Sequence, residues 1–66
     1  MHETYQTMQK IMQEKGYPVS VQETAIGTIK FARDKVTTAE KVGNLLKQNL
    51  TAREMVKALQ PIIKEE

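Results

Sequence analysis

The stretch EKGYPVSVQE, residues 14–23, contains a helix stop followed at once by a helix start. Gly16 stands where a helix-ending residue adopts a left-handed backbone conformation, and Pro18 prevents the helix from continuing. Ser20 and Glu23 have the spacing of a capping box, in which each side chain accepts a hydrogen bond from the other residue's backbone amide. The stretch therefore predicts the boundary between two helices, the first over about residues 3–15 and the second over about 21–35.

Two more capping boxes predict the remaining helices. Thr37 and Glu40 introduce a predicted helix over residues 38–48, and Thr51 and Glu54 introduce one over residues 52–64. Pro61 removes a backbone donor from the last helix, so we expect a kink near residue 61. No segment has the alternating pattern of a strand. The sequence predicts one all-α domain over residues 1–66, a small four-helix orthogonal bundle that is helix-turn-helix-like.

Each predicted helix has an apolar stripe with three- and four-residue spacing, which identifies the face that packs into the core. The stripe of the second helix is the widest, because Ile26 and Phe31 extend it on both sides, and this predicts a central helix. Gly27 in that helix costs about 1 kcal/mol relative to alanine, which suggests close helix packing there. The expected core residues are Tyr5, Met8, Ile11, Met12, Val21, Ala25, Thr28, Ile29, Ala32, Val36, Ala39, Val42, Leu45, Leu46, Met55, Val56, Leu59, Ile62 and Ile63.

The residue types needed for catalysis or metal binding are scarce. There is no cysteine, and the single histidine, His2, lies beside the first residue, so neither a thiolate nor a histidine metal site is expected. The glutamates are accounted for by helix starts and solvated faces, Ser20 by capping, and the three glycines form no phosphate-binding loop. We therefore expect a protein that is not an enzyme and has no cofactor, metal or small-molecule substrate.

The composition favours a protein that works in aqueous solution. No apolar run approaches the roughly 18 residues of a membrane span, and residues 1–4 lack the basic and apolar regions of a signal peptide. These features predict a cytoplasmic protein without a membrane partner. The net charge of +2 permits a polyanionic partner without requiring one.

The last two predicted helices suggest DNA binding. The segment 48–51 between them has about the length of the turn in a helix-turn-helix, whose second helix enters the major groove. On that helix Arg53 would pair with guanine and Gln60 with adenine. Lys41, Lys47 and Lys57 would contact phosphates. The alternative interpretation is that these residues belong to ordinary solvated faces.

Residues 14–23 also resemble a known DNA-binding family. The string is similar to the junction between the first and second helices of the winged helix-turn-helix domain of the SOS-response repressor of Gram-positive bacteria, where a KGYPPSVRE-type sequence occurs. The match covers ten of the 66 residues. Beyond Glu23 the second helix is longer and no segment for a wing follows. The resemblance implies DNA binding but transfers no DNA-contacting residue to this chain.

A protein partner is the alternative. Very small helical proteins often bind a larger protein as inhibitors or adaptors, or pair with themselves. Ile26 and Phe31 are hard to cover in so small a core, and an uncovered pair would form an apolar interface patch. The other interpretation is that both are completely buried inside the monomer. A homodimer would also supply part of the core that the short chain lacks. Both alternatives fit a small regulator, such as a transcription regulator of a phage or mobile element.

Overall fold

The structure, a computed structural model, describes the backbone of residues 2–65 and the side chains of residues 5–64. Its four helices are α1 (His2–Glu14), α2 (Val19–Lys30), α3 (Lys35–Leu46) and α4 (Ala52–Glu65). No strand is present in the described backbone. The prediction of a small all-α bundle of four helices is therefore confirmed.

Helices α2 and α3 form the centre of the bundle. Each of them packs against all three other helices, whereas α1 and α4 do not pack against each other in the described part of the chain. The expected close packing at Gly27 is not found, because nothing outside its immediate surroundings lies within 4 Å of the position where a Cβ would be. The radius of gyration, 10.6 Å, is close to the value of about 11 Å expected for a folded domain of this length. The core is formed by the buried side chains of Met8, Met12, Tyr17, Val21, Ala25, Ile26, Ile29, Val42, Leu46, Met55 and Leu59.

The predicted end of α1 is confirmed in detail. Gly16 has a φ of +77°, the left-handed conformation expected after a helix. The amide of Tyr17 donates to the carbonyl of Met12 (3.1 Å) and the amide of Gly16 to that of Gln13 (3.0 Å), which is the hydrogen-bond pattern of a Schellman motif. Tyr17 and Met12 are both buried in the core, so side chains on both sides of this chain reversal pack into the interior.

Replacing Gly16 with alanine should lower the free energy of unfolding by about 1–2 kcal/mol, the usual cost of a left-handed conformation for a residue with a Cβ. The cost comes from backbone strain alone, because no heavy atom outside its immediate neighbours lies within 4 Å of the Cβ position. Urea denaturation followed by circular dichroism measures the change. Gly16→Asn is the control, since asparagine tolerates this conformation better, and equal losses for both variants would contradict the explanation.

The predicted start of α2 is wrong. The helix begins two residues earlier, at Val19, after Pro18 with φ −60° and ψ 154°, and no side chain caps it. The carbonyl of Pro18 accepts hydrogen bonds from the amides of Val21 (3.0 Å) and Gln22 (3.2 Å). Ser20 therefore lies inside the first turn, where its carbonyl accepts a bond from the Thr24 hydroxyl. Proline's fixed φ already suits the entry to a helix, so the chain needs no serine cap.

The predicted boundary between α2 and α3 is also wrong. Helix α2 ends at Lys30 rather than near residue 35, and α3 begins at Lys35. Asp34 caps α3: one carboxylate oxygen accepts from the Thr37 amide (3.0 Å) and the other from the Thr37 hydroxyl (2.9 Å). Thr37 is thus a residue of the first turn and not the cap. Val36, placed in the core by the stripe pattern, is 68 % exposed.

Helix α4 starts as predicted. The Thr51 amide donates to a carboxylate oxygen of Glu54 (2.9 Å), and the Glu54 amide donates to the Thr51 hydroxyl (3.2 Å). The helix runs without a break through Pro61, and a kink there stays a prediction. Of the expected core positions, Tyr5, Ile11, Ala39, Leu45 and Val56 are only partly buried against the core, and Ile63 is exposed.

Candidate nucleic-acid interface

The outer face of α4 presents a row of cationic and amide side chains. Arg53, Lys57, Gln60 and Lys64 are all exposed, and we call them the α4 row. At about 100° per residue these four positions fall within an arc of roughly 60°, and they span about 16 Å along the helix axis. The row therefore presents three cations and one amide along one side of the helix, with no acidic residue among them.

The opposite face of α4 fixes the direction of this row. Met55 and Leu59 are completely buried, and Ile62 is buried beside them. Because these residues anchor α4 against the core, the side chains on the far side of the helix must face solvent. The arrangement can offer hydrogen-bond donors to an anionic or polar surface.

The connection between α3 and α4, residues 47–51, is held in place by the segment between α1 and α2, residues 15–18, which we call the α1–α2 corner. The ammonium group of Lys15 donates to the carbonyl of Gln48 at 3.0 Å. The hydroxyl of Tyr17 donates to the carbonyl of Leu50 at 2.7 Å. Burial, and to a smaller extent the negative charge of Glu54, raises the pKa of Tyr17 above 10.0, so this donor stays protonated at neutral pH. The start of α4 is thereby fixed relative to α2.

Glu54 is the acidic residue next to the row. Its pKa lies below the ordinary value of 4.5, chiefly because the Thr51 backbone amide and then the Thr51 side chain form hydrogen bonds with the carboxylate, with a smaller effect of Lys57. It is about 100° around the helix from Arg53. Its carboxylate accepts the hydrogen bond from Thr51 that caps α4. It is therefore less available than a free carboxylate to compete with a phosphate for the neighbouring cations.

The two capping carboxylates make the stability of the fold depend on pH. The pKa values of Asp34 and Glu54 are both lowered in the folded state, Asp34 mainly by its hydrogen bonds from Thr37. A carboxyl with a lowered folded pKa stabilises above its unfolded pKa and loses that contribution as pH falls through the folded one. The midpoint of urea denaturation should therefore decrease as pH falls below about 4.5, and the double variant Asp34→Asn, Glu54→Gln should show a smaller decrease.

The other residues predicted for DNA binding lie on α3. Lys41 is an exposed residue within the helix, and Lys47 is exposed at its C-terminal cap. They are therefore separate from the α4 row. Of the two residues predicted for a protein interface, Ile26 is buried in the core, so that part of the prediction is wrong, whereas Phe31 is 87 % exposed.

Sequence reasoning missed two parts of this surface. Lys64 continues the α4 row eleven residues after Arg53, a spacing that a helical wheel could have identified. The supporting bonds of Lys15 and Tyr17 join residues 33 positions apart, and no local pattern reports such a contact. Within the described backbone, residues 2–65, no helix is long and apolar enough to span a bilayer. Among the described side chains, residues 5–64, no group of three or more acidic, histidine or cysteine residues could hold a metal ion.

Comparison with known proteins gives no relative for this chain. No protein-family model, no curated protein and no solved structure matches it.

Proposed function

We propose that this chain is a small, non-enzymatic DNA-binding protein in which α3, residues 47–51 and α4 act as a helix-turn-helix. The observation that carries the proposal is the α4 row: three cations and one amide, exposed on the outer face of the second helix of the pair. A helix of about 10–12 Å diameter fits the major groove of B-DNA, which is about 12 Å wide.

The chemistry of the row suits both kinds of DNA contact. Arg53 lies in the first turn of α4, the part of a recognition helix that reaches base edges, and an arginine there pairs best with guanine. Gln60 offers the amide that matches adenine. Lys57 and Lys64, like Lys41 and Lys47 on α3, suit phosphate oxygens as simple charges.

The hydrogen bonds that hold residues 47–51 in place also support the proposal. A recognition helix must hold its direction relative to the rest of the domain for its side chains to reach bases in register. Lys15 and Tyr17 supply that rigidity by binding two carbonyls of the connection. They belong to the segment that resembles the SOS-response repressor, and that resemblance points to the same class of ligand.

The test is DNA binding measured as a function of salt. A fluorescent duplex of random sequence, about 30 base pairs long, is titrated with the protein and followed by anisotropy. Between three and five phosphate contacts give a slope of roughly −2.7 to −4.5 in a plot of log affinity against log salt concentration. Affinity should therefore fall about 40- to 500-fold between about 50 and 200 mM salt. Absence of binding at low salt, or binding without salt dependence, would contradict the proposal.

A further inference from the structure

Two residues of the α4 row differ from the others in the contacts that they can make. Arg53 carries a planar guanidinium and Gln60 a carboxamide, and each can form two hydrogen bonds to a single base. Lys57 and Lys64 carry compact charges without a fixed direction, which suits phosphate oxygens. All four side chains are exposed. The row therefore combines two groups that distinguish bases with two that bind the DNA backbone.

The acidic residue beside the row does not add a third base-reading group. A carboxylate can accept a hydrogen bond from the amino group of cytosine. One carboxylate oxygen of Glu54 instead accepts from the Thr51 amide at 2.9 Å. Glu54 also lies about 100° around the helix from Arg53 and about 120° from Gln60. Base recognition by the row is therefore limited to Arg53 and Gln60.

The helix fixes the distance between these two side chains. Arg53 and Gln60 are seven residues apart, which places them about 10.5 Å apart along the axis and only about 20° apart around it. The helix is continuous from Ala52 to Glu65, and Met55 and Leu59, completely buried, anchor this part of it against the core. Seven residues is also the span over which the single recognition helix of a homeodomain reads bases.

The repeat of B-DNA converts this distance into a spacing between base pairs. Successive base pairs are about 3.4 Å apart along the DNA axis, so 10.5 Å corresponds to about three base-pair steps in that direction. The path along the winding groove is longer, and a helix that follows the groove covers about two steps over the same distance, as the helix of a zinc finger does when it contacts three successive bases. The two base pairs that Arg53 and Gln60 reach are therefore separated by one or two others.

We propose, on the basis of the proposed function, that the α4 row selects duplex DNA in which a G·C pair and an A·T pair are separated by one or two base pairs. Arg53 binds the guanine and Gln60 the adenine. Lys57 and Lys64 bind the backbone and leave the other positions unspecified. A wrong base pair at either selected position removes a pair of hydrogen bonds and lowers the affinity by about 5- to 150-fold.

Selection from a pool of duplexes tests this specificity. The pool carries a randomised window of about eight base pairs, more than the roughly five that a row of about 16 Å can cover. Duplexes that the protein retains are separated and sequenced, and the spaced G·C and A·T pairs should be enriched. In anisotropy titrations the enriched duplex should bind at least about fivefold more tightly than the same duplex with its G·C pair changed to C·G or its A·T pair to T·A.

Single variants assign each preference to its side chain. Gln60→Ala should lose the preference for the A·T pair and keep that for the G·C pair, and Arg53→Ala should do the reverse. Lys64→Ala is the matched control on the same row: it should weaken binding to every duplex alike, lower the salt-dependence slope by about one and leave both preferences unchanged. All three positions are exposed, so circular dichroism should show the original helical content. Damage to the fold would weaken both preferences together.

The outcomes separate this specificity from DNA binding itself. Salt-dependent binding of the pool without enrichment, or enrichment of a pattern with a different spacing, would overturn the specificity and leave the proposed function standing. Preferences that persist in both Arg53→Ala and Gln60→Ala would do the same, because other residues would then read the bases. Absence of binding to the pool at low salt would overturn the proposed function and the specificity with it.

Discussion

Replacing Leu59 with alanine is expected to leave most of the protein unfolded at 25 °C. Leu59 has no exposed surface and lies in the core where α4 packs against α2. A buried leucine truncated to alanine costs about 2–5 kcal/mol, through lost burial and the cavity left behind. A domain of this size rarely has more than about 3–5 kcal/mol of stability in total. Circular dichroism at 222 nm and urea denaturation measure the loss.

Ile63→Ala on the same helix is the control for the cost of losing aliphatic surface. Ile63 is 39 % exposed, so its truncation at low protein concentration should cost less than half as much. Equal losses for the two variants would show that α4 does not depend on its buried face. At low protein concentration the chain is either a folded monomer or unfolded, so urea denaturation also measures the total free energy of unfolding of the domain.

The end of α1 and the start of α4 could be predicted because the signals that mark them are local. Gly16 and Pro18 mark the end of α1 within one residue, and Thr51 with Glu54 marks the start of α4 at Ala52. Each signal depends on the backbone chemistry of residues three to five positions apart, and no distant contact competes with it. The predicted faces of α1 and α4 follow from these boundaries, and Met8, Met12, Met55 and Leu59 are buried as expected.

The junction between α2 and α3 could not be read in the same way. Ala32 is buried and continues the apolar stripe of α2 past its true end, so the pattern predicts a longer helix. Two caps compete there, Asp34 and Thr37, and aspartate is the stronger N-cap. With Asp34 as the cap, α3 starts at Lys35, three residues earlier than predicted. No glycine or proline marks this boundary, and stripe periodicity alone does not locate it.

The same junction explains why only one of the two expected interface residues faces solvent. Ile26 and Phe31 lie on opposite edges of the α2 stripe, and sequence periodicity treats them alike. The helix ends at Lys30, so Phe31 belongs to the cap and points away from the core, while Ile26 stays in the middle of the helix and is buried. The exposure of Phe31 is thus a consequence of where α2 stops, which requires the tertiary structure.

The side chains of the candidate site can be predicted from the sequence, but the hydrogen bonds that hold the start of α4 in place cannot. A helical wheel places Arg53, Lys57 and Gln60 on one face as soon as α4 is recognised, and the structure leaves all three exposed. The bonds from Lys15 and Tyr17 to the connection before α4 depend on how the α1–α2 corner meets residues 47–51. Such long-range hydrogen bonds arise from packing and have no signature in one sequence.

Reversing two charges of the α4 row, with Arg53→Glu and Lys57→Glu, should lower the affinity for duplex DNA at least about 100-fold at 0.1 M salt. On a duplex of random sequence each reversed cation loses a phosphate contact, which lowers the salt-dependence slope by about one, and the new carboxylates repel the phosphates. Both positions are exposed, so circular dichroism should show the original helical content. Anisotropy with the same labelled duplex measures the affinity.

The matched control reverses Lys10 and Lys35 to glutamate, which changes the net charge from +2 to −2 as the first pair does. Lys10 lies on α1, which makes no contact with α4 in the part of the chain that the structure describes. Lys35 is the first residue of α3, where an acidic side chain suits the helix dipole. If DNA binding depends only on net charge, the two double variants will lose affinity equally. If α4 enters the groove, the control will lose no more than about tenfold, since it alters only the general electrostatic attraction. Equal losses would therefore exclude α4 as the recognition helix, although the protein would still bind DNA through its basic charge. Unchanged binding in both double variants would exclude DNA contact through either surface.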